Sequence, residues 1–259
     1  LTFNTAANSI TATNQNLTLG GAAGGTVGGT ITTGSGTLTK DGAGTWTLSA
    51  DNTYTGYSWI KDGTLSVPKL ANLSAASPLG APTTANNGAI VLGNGTTTGT
   101  LLYTGTGHST NRNIDVWDDG TAGSNGIIDQ SGASGLLNFT GNAYAAPSTA
   151  GPSSLTLRGS AGGTGEISGV VSDCNVAPVT AKLRIIKDGT GTWTLSGLNT
   201  YTLATTVSAG TLVAGANAPS GSAGAFGNAA SAIILGDAAT TANNSSPSLL
   251  TGGAFTIGR

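Results

Sequence analysis

The chain has 259 residues and a formal charge of −2, with glycine at 43 positions, charged residues at 8%, one cysteine and no methionine. Glycine near 17% against the usual ~7%, with a single glutamate, excludes a helix-rich enzyme, and the lack of a strict third-residue glycine period excludes collagen. The near-neutral balance gives no reason to expect nucleic acid or anionic lipid as a partner, and one cysteine allows neither a disulfide framework nor a thiolate zinc cluster.

The chain opens on Leu1-Thr2-Phe3 with neither an initiator methionine nor a leader, as expected of an interior or processed piece of something longer. No run of 18 apolar residues follows, so no transmembrane helix is expected. Leu17-Thr18-Leu19 leads into Gly24-Gly25-Thr26. Thr37-Leu38-Thr39, Thr45-Trp46-Thr47-Leu48-Ser49 and Thr64-Leu65-Ser66-Val67 then alternate hydroxyl and apolar side chains. That period of two predicts short strands with Leu38, Trp46, Leu48, Leu65 and Val67 on one face. Asp41-Gly42 and Asp62-Gly63 punctuate them as turns. Ala89-Ile90-Val91-Leu92-Gly93 resembles Ala232-Ile233-Ile234-Leu235-Gly236 further along, and Leu101-Leu102 up to Arg112 has a partner in Leu249-Leu250 up to Arg259.

The second half repeats the first. Lys40-Asp41-Gly42-Ala43-Gly44-Thr45-Trp46-Thr47-Leu48-Ser49 returns 147 residues later as Lys187-Asp188-Gly189-Thr190-Gly191-Thr192-Trp193-Thr194-Leu195-Ser196. Asn52-Thr53-Tyr54-Thr55 matches Asn199-Thr200-Tyr201-Thr202, Gly63-Thr64-Leu65 matches Gly210-Thr211-Leu212, and Arg112 has its partner in Arg259. Residues 1–136 are therefore assigned to a first, N-terminally incomplete unit of one continuous solenoid, and 137–259 to a second, C-terminally truncated unit.

Two architectures are compatible with short strands and frequent glycine turns: a right-handed parallel β-helix and a β-sandwich. The solenoid is favoured, because apolar residues recur singly between glycines and stacked coils let each rung bury them against the next. With about 20 residues per coil, roughly a dozen rungs are expected. Trp46 and Trp193 are expected buried on the same face.

The run Lys-Asp-Gly-x-Gly-Thr-Trp-Thr-Leu-Ser, then Asn-Thr-Tyr-Thr, then Gly-Thr-Leu resembles the autotransporter-associated β-strand repeat, also called the passenger-associated transport repeat. The resemblance covers residues 40–67 and 187–214. It implies a secreted or surface-exposed parallel β-helix within a large bacterial repeat protein, in a family of autotransporter passengers, adhesins and giant surface proteins.

Catalytic residues are not expected. Asp115, Asp118, Asp119 and Asp129 form the one weak Ca²⁺ candidate, against which Asp118-Asp119-Gly120 reads as an Asx turn. His108, Glu166 and Cys174 are each the only residue of their type and lack a partner in sequence for nucleophilic or acid–base chemistry. Duplicated residues are better explained by packing, so a structural set is assigned: Asp41, Gly42, Gly44, Trp46, Leu48, Asn52, Tyr54, Gly63 and Leu65, with Asp188, Gly189, Gly191, Trp193, Leu195, Asn199, Tyr201, Gly210 and Leu212. No cofactor is expected. The expected function is a structural or surface-display segment of an extracellular rod, filament or matrix, contacting copies of itself or flanking repeats. The alternative is an adhesin binding glycans or host surfaces through loops at 71–87, 117–131 and 143–152.

Overall fold

The structure, a computed structural model, describes residues 2–3, 9–120, 123–147, 151–160, 162–174, 176 and 181–259. Parts of the loops at 117–131 and 143–152, namely 121–122 and 148–150, lie outside the described residues.

The strands stack as a three-faced parallel β-helix. The first face is a ten-stranded sheet that runs from Thr2–Phe3 through Gly25–Val27, Thr45–Leu48, Gly63–Val67, Thr98–Tyr103, Asn125–Gln130, Ser153–Gly159, Leu183–Lys187 and Thr205–Val207 to Ile234–Leu235. The chain then turns to a second face. There, Ile10–Thr11 pairs with Ile31–Thr32 in the early coils, and a six-stranded sheet from His108–Thr110 to Ser248–Thr251 forms the later ones. It returns over a third, seven-stranded face from Leu17–Leu19 to Val171–Ser172. Ladders between the named strands are parallel, as Leu65↔Leu101↔Ile128↔Leu157 illustrates, so the sandwich alternative is set aside.

Alternation along each strand builds the core. In Thr45–Leu48 the pattern sends Trp46 and Leu48 inward and Thr45 and Thr47 outward. Inward residues then stack rung on rung: Ile90 on Ile114, Ile114 on Ala143, Ala143 on Val171. Each coil thus buries a few side chains against its neighbours, which suits strands too short to make a core alone.

The ten-stranded face corresponds to ten coils rather than a dozen, a height of about 43 Å at ~4.8 Å per rung. Coil length is the reason. A coil takes 19 residues from Trp46 to Leu65 but 36 from Leu65 to Leu101. The long coil carries an insertion with a one-turn helix, Ala85–Gly88, whose Thr84 Oγ1 accepts the Asn87 N–H at 3.2 Å. A similar insertion near the far end carries Ala238–Ala242, capped by Asp237.

Trp46 and Trp193 are both buried, but not on the same face. Trp46 lies in the ten-stranded sheet and Trp193 in the six-stranded one. Between them the chain completes five coils and advances one further face, so the second copy is turned one face about the solenoid axis. The contacts that define the repeat run within one coil and to its neighbours, so they are indifferent to which of the three faces holds them.

Candidate functional site

The duplicated residues form a buried corner in each copy. Lys40 stacks between Leu19 and Ile60 in an inward ladder, and its Nζ donates to the carbonyls of Asp41 (3.2 Å), Gly42 (2.6 Å) and Asp62 (2.9 Å). Lys187 repeats this with Asp188 (2.7 Å), Gly189 (2.7 Å) and Ala209 (3.0 Å). Each ammonium ties the turn of its own coil to the next coil. Burial lowers both lysines from the ordinary range, Lys187 to about 8. Gly63 and Gly210 follow at φ +68° and +64°, and a Cβ there would meet the carbonyl oxygen of Gly42 or Gly189 at 2.4 or 2.3 Å. Only glycine permits both that backbone and that approach.

Downstream, Trp46 Nε1 donates to Gly20 O at 3.0 Å and Trp193 Nε1 to Arg158 O at 2.8 Å, each bridging to an earlier coil. Asn52 Oδ1 accepts the Ile31 N–H and its Nδ2 donates to Pro78 O; Asn199 does the same with Val171 and Ala225. Tyr54 pairs with Ser58 at 2.8 Å and Tyr201 with Thr205 at 2.6 Å, both fully buried. Burial pushes the Tyr54 phenol up to about 12 and that of Tyr201 higher still. Leu48, Leu65, Leu195 and Leu212 fill the adjoining core. Gly44 and Gly191 donate to Gly21 and Gly159 of an earlier coil, and Asp41 Oδ1 caps the Gly42 N–H. Asp188 is engaged differently, by the Arg158 guanidinium at 3.0 Å. Sequence reasoning missed Lys40, Lys187 and the buried Arg112, whose Nε and Nη1 bond Gly88 O and Leu79 O. Their recurrence at the same offset was the available signal.

The acidic residues are dispersed. Asp129 points outward between Leu102 and Arg158 on the first face, with Oδ1 taking the Ser131 hydroxyl at 2.5 Å. Asp118 Oδ1 accepts the Gly120 N–H at 2.9 Å as an Asx turn, and Asp119 Oδ2 accepts from Asn94 at 3.3 Å. Among the described residues no group of three acidic, His or Cys side chains is placed to hold a metal ion. His108 Nδ1 contacts the Tyr103 hydroxyl at 2.5 Å, and burial lowers its pKa. Glu166 accepts from Ser196 at 2.5 Å, and Cys174 is buried.

Asp115 stands apart. It belongs to an outward ladder on the third face, Trp59↔Val91↔Asp115↔Tyr144. With Tyr57, Trp59, Val91, Trp117 and Asn86 of the short helix it lines a cleft of about 220 Å³. The two indoles meet edge to face at 6.3 Å, and Trp59 is fixed by its Nε1 bond to Gly93 O at 2.8 Å. Asp115 Oδ1 is buried without a hydrogen-bond partner, and burial alone pushes the carboxyl up to about 7. Two of its walls are not shared with the second copy: the counterparts of Tyr57 and Trp59 at the 147-residue offset are Ala204 and Thr206.

Asp115 therefore works against stability. Its folded pKa lies above the unfolded value, so its contribution is complete below pH 4 and is lost as pH rises through 7. Asp115→Asn should stabilise the fold at pH 8 by up to about 4 kcal/mol, with the gap closing toward pH 4. Urea titrations at both values measure it; an equal gap at both would show that burial is not the cause.

Among known proteins, the family model described as Passenger-associated-transport-repeat matches residues 38–67 and 185–214. The chain is 34% identical over 244 residues to an adhesin BmaC autotransporter of Brucella suis biovar 1 (strain 1330). The alignment covers 87% of this chain and 6% of that protein. The chain thus spans about one-sixteenth of that curated relative's length. No solved structure matches. Two copies of one repeat, each with the same buried lysine, tryptophan, asparagine and tyrosine, are thus two passenger-associated transport repeats carried by this chain.

Proposed function

We propose that this chain is a structural, surface-display stretch of a bacterial passenger: a rigid β-helical rod whose function is reach and contact with its neighbours, without turnover chemistry of its own. Its setting is the extracellular face of the cell. The observation that carries the reading is that the large residues shared by the two copies, Lys40, Trp46 and Asn52 with Lys187, Trp193 and Asn199, are buried in the solenoid, where each bonds to a neighbouring coil. The division into units 1–136 and 137–259 of one solenoid is part of the same proposal.

The exposed side chains of Ile234, Leu235, Leu250 and Phe255 support contacts with flanking repeats or neighbouring copies. A further parallel coil would cover them and pair their edges. Sedimentation across a concentration series should show self-association, and electron micrographs should show thin rods joined end to end. A monodisperse monomer at high concentration would overturn the contact reading. A second reading, adhesion, has the adhesin named among similar proteins in its favour. Retention of the purified chain on a glycan or host-matrix array would transfer weight to it.

A further inference from the structure

We propose that the cleft between Trp59, Trp117 and Asp115 is a binding site for a primary alkylammonium group, such as a lysine side chain or a polyamine end. Three observations converge on that chemistry. First, Asp115 Oδ1 is a buried acceptor with no donor, a costly state that a ligand N–H would relieve. Second, the walls are aromatic faces and edges, with Tyr57 and the two tryptophans beside the carboxylate, the surroundings in which a desolvated cation is attracted to ring quadrupoles. Trp59 already shows this affinity, since Lys61 Nζ lies 5.8 Å from its ring centroid. Third, Tyr57 and Trp59 give way to Ala204 and Thr206 in the second copy, so the packing shared by the two copies does not account for these two rings.

The orphaned acceptor selects among cations. A quaternary ammonium satisfies the rings but has no N–H for Oδ1, whereas a primary ammonium supplies three. A neutral sugar would find Asp115, Asn86 and Tyr57 as the polar residues of the lining apart from the indoles, and two indoles set at 69° rather than one open platform. The charged and titratable groups around Asp115 are few. Tyr144 stacks next to it in the ladder, Val91 lies on the other side, and Lys61, against Trp59, is engaged by Asp41 at 3.5 Å. Burial with no cation acting on the carboxyl keeps it partly protonated near neutrality, so ammonium binding should strengthen as pH rises through 7.

The test uses the whole chain and NMR shifts of the tryptophan indoles. Titrants are n-butylammonium, N-acetyl-lysine methylamide, cadaverine, n-butyltrimethylammonium and methyl pyranosides. The primary amines should shift the Trp59 and Trp117 signals at pH 8 and bind about ten-fold more weakly at pH 5.5. Asp115→Asn, a variant expected to fold more stably than the parent, should weaken them about ten-fold, and the trimethyl compound should bind more weakly than the primary amine. Trp117→Ala, at an exposed position, should weaken binding too, while Thr206→Ala in the second copy should not. Tighter binding of the lysine amide would assign the source to a partner protein, and tighter binding of cadaverine to a free polyamine. The proposal is overturned if no primary amine binds, if Asp115→Asn binds equally well, or if pyranosides bind where amines do not. None of those results bears on the rod reading, which rests on the interior.

Discussion

Trp193→Ala should lower the stability of the solenoid by about 3–5 kcal/mol, the range for a large aromatic removed from a core. The ring is fully buried and its Nε1 holds the Arg158 carbonyl, so truncation leaves a cavity and an unpaired acceptor together. Its seat is prepared by the preceding coil: Gly165 is its ladder partner, and a Cβ there would lie 2.4 Å from the indole. Gly165→Ala should therefore destabilise as well, and by much less once Trp193 is Leu, because the clash needs the ring. Trp46 faces Gly25 in the same relation but keeps 5% exposure, so Trp46→Ala should cost somewhat less. Urea midpoints followed by far-ultraviolet dichroism give these values. A loss below about 1 kcal/mol for Trp193→Ala would mean that the coils close around the gap.

The strands and turns were legible because their signals are local. Thr-Trp-Thr-Leu alternates in and out whatever its surroundings, and Asp-Gly marks a positive-φ corner on its own. The repeat was legible because its contacts join one coil to its neighbours. Coil count was not, since the insertion between Leu65 and Leu101 lengthens a coil without altering any strand. The turn of one face between copies was hidden for the same reason: insertions change how much chain passes between tryptophans, and nothing in either motif records the face it occupies. Lys40 and Lys187 read as turn residues by type, but the geometry carries them inward, where three carbonyls converge. The Asp115 cleft collects residues 57, 59, 86, 91, 115 and 117 from successive coils and an insertion, so no spacing announces it. The trace it leaves is Tyr57 and Trp59 standing where the second copy has Ala204 and Thr206.

Asn199→Ala should cost about 2–6 kcal/mol, and its value lies in what it does to the shape of unfolding. The side chain accepts from the Val171 N–H and donates to Ala225 O, both at 2.7 Å, and is fully buried. Alanine would strand both backbone groups, at about 1–3 kcal/mol each. Asn199→Asp would be worse: it keeps the acceptor, loses the donor and buries a charge. Asn52→Ala strands Ile31 N–H and Pro78 O in the same way, five coils and one face away, about 24 Å along the axis. At that separation the two losses add if the solenoid unfolds as one cooperative unit, and the double variant should lose about 4–12 kcal/mol through a single transition. Stacked coils contact only their neighbours, however, so cooperativity has a finite reach. If that reach is shorter than five coils, each variant will melt its own end: Asn52→Ala should expose amides of the early coils to hydrogen exchange while those around Trp193 stay protected. Uniform loss of protection in both single variants would instead make the two copies one folding unit.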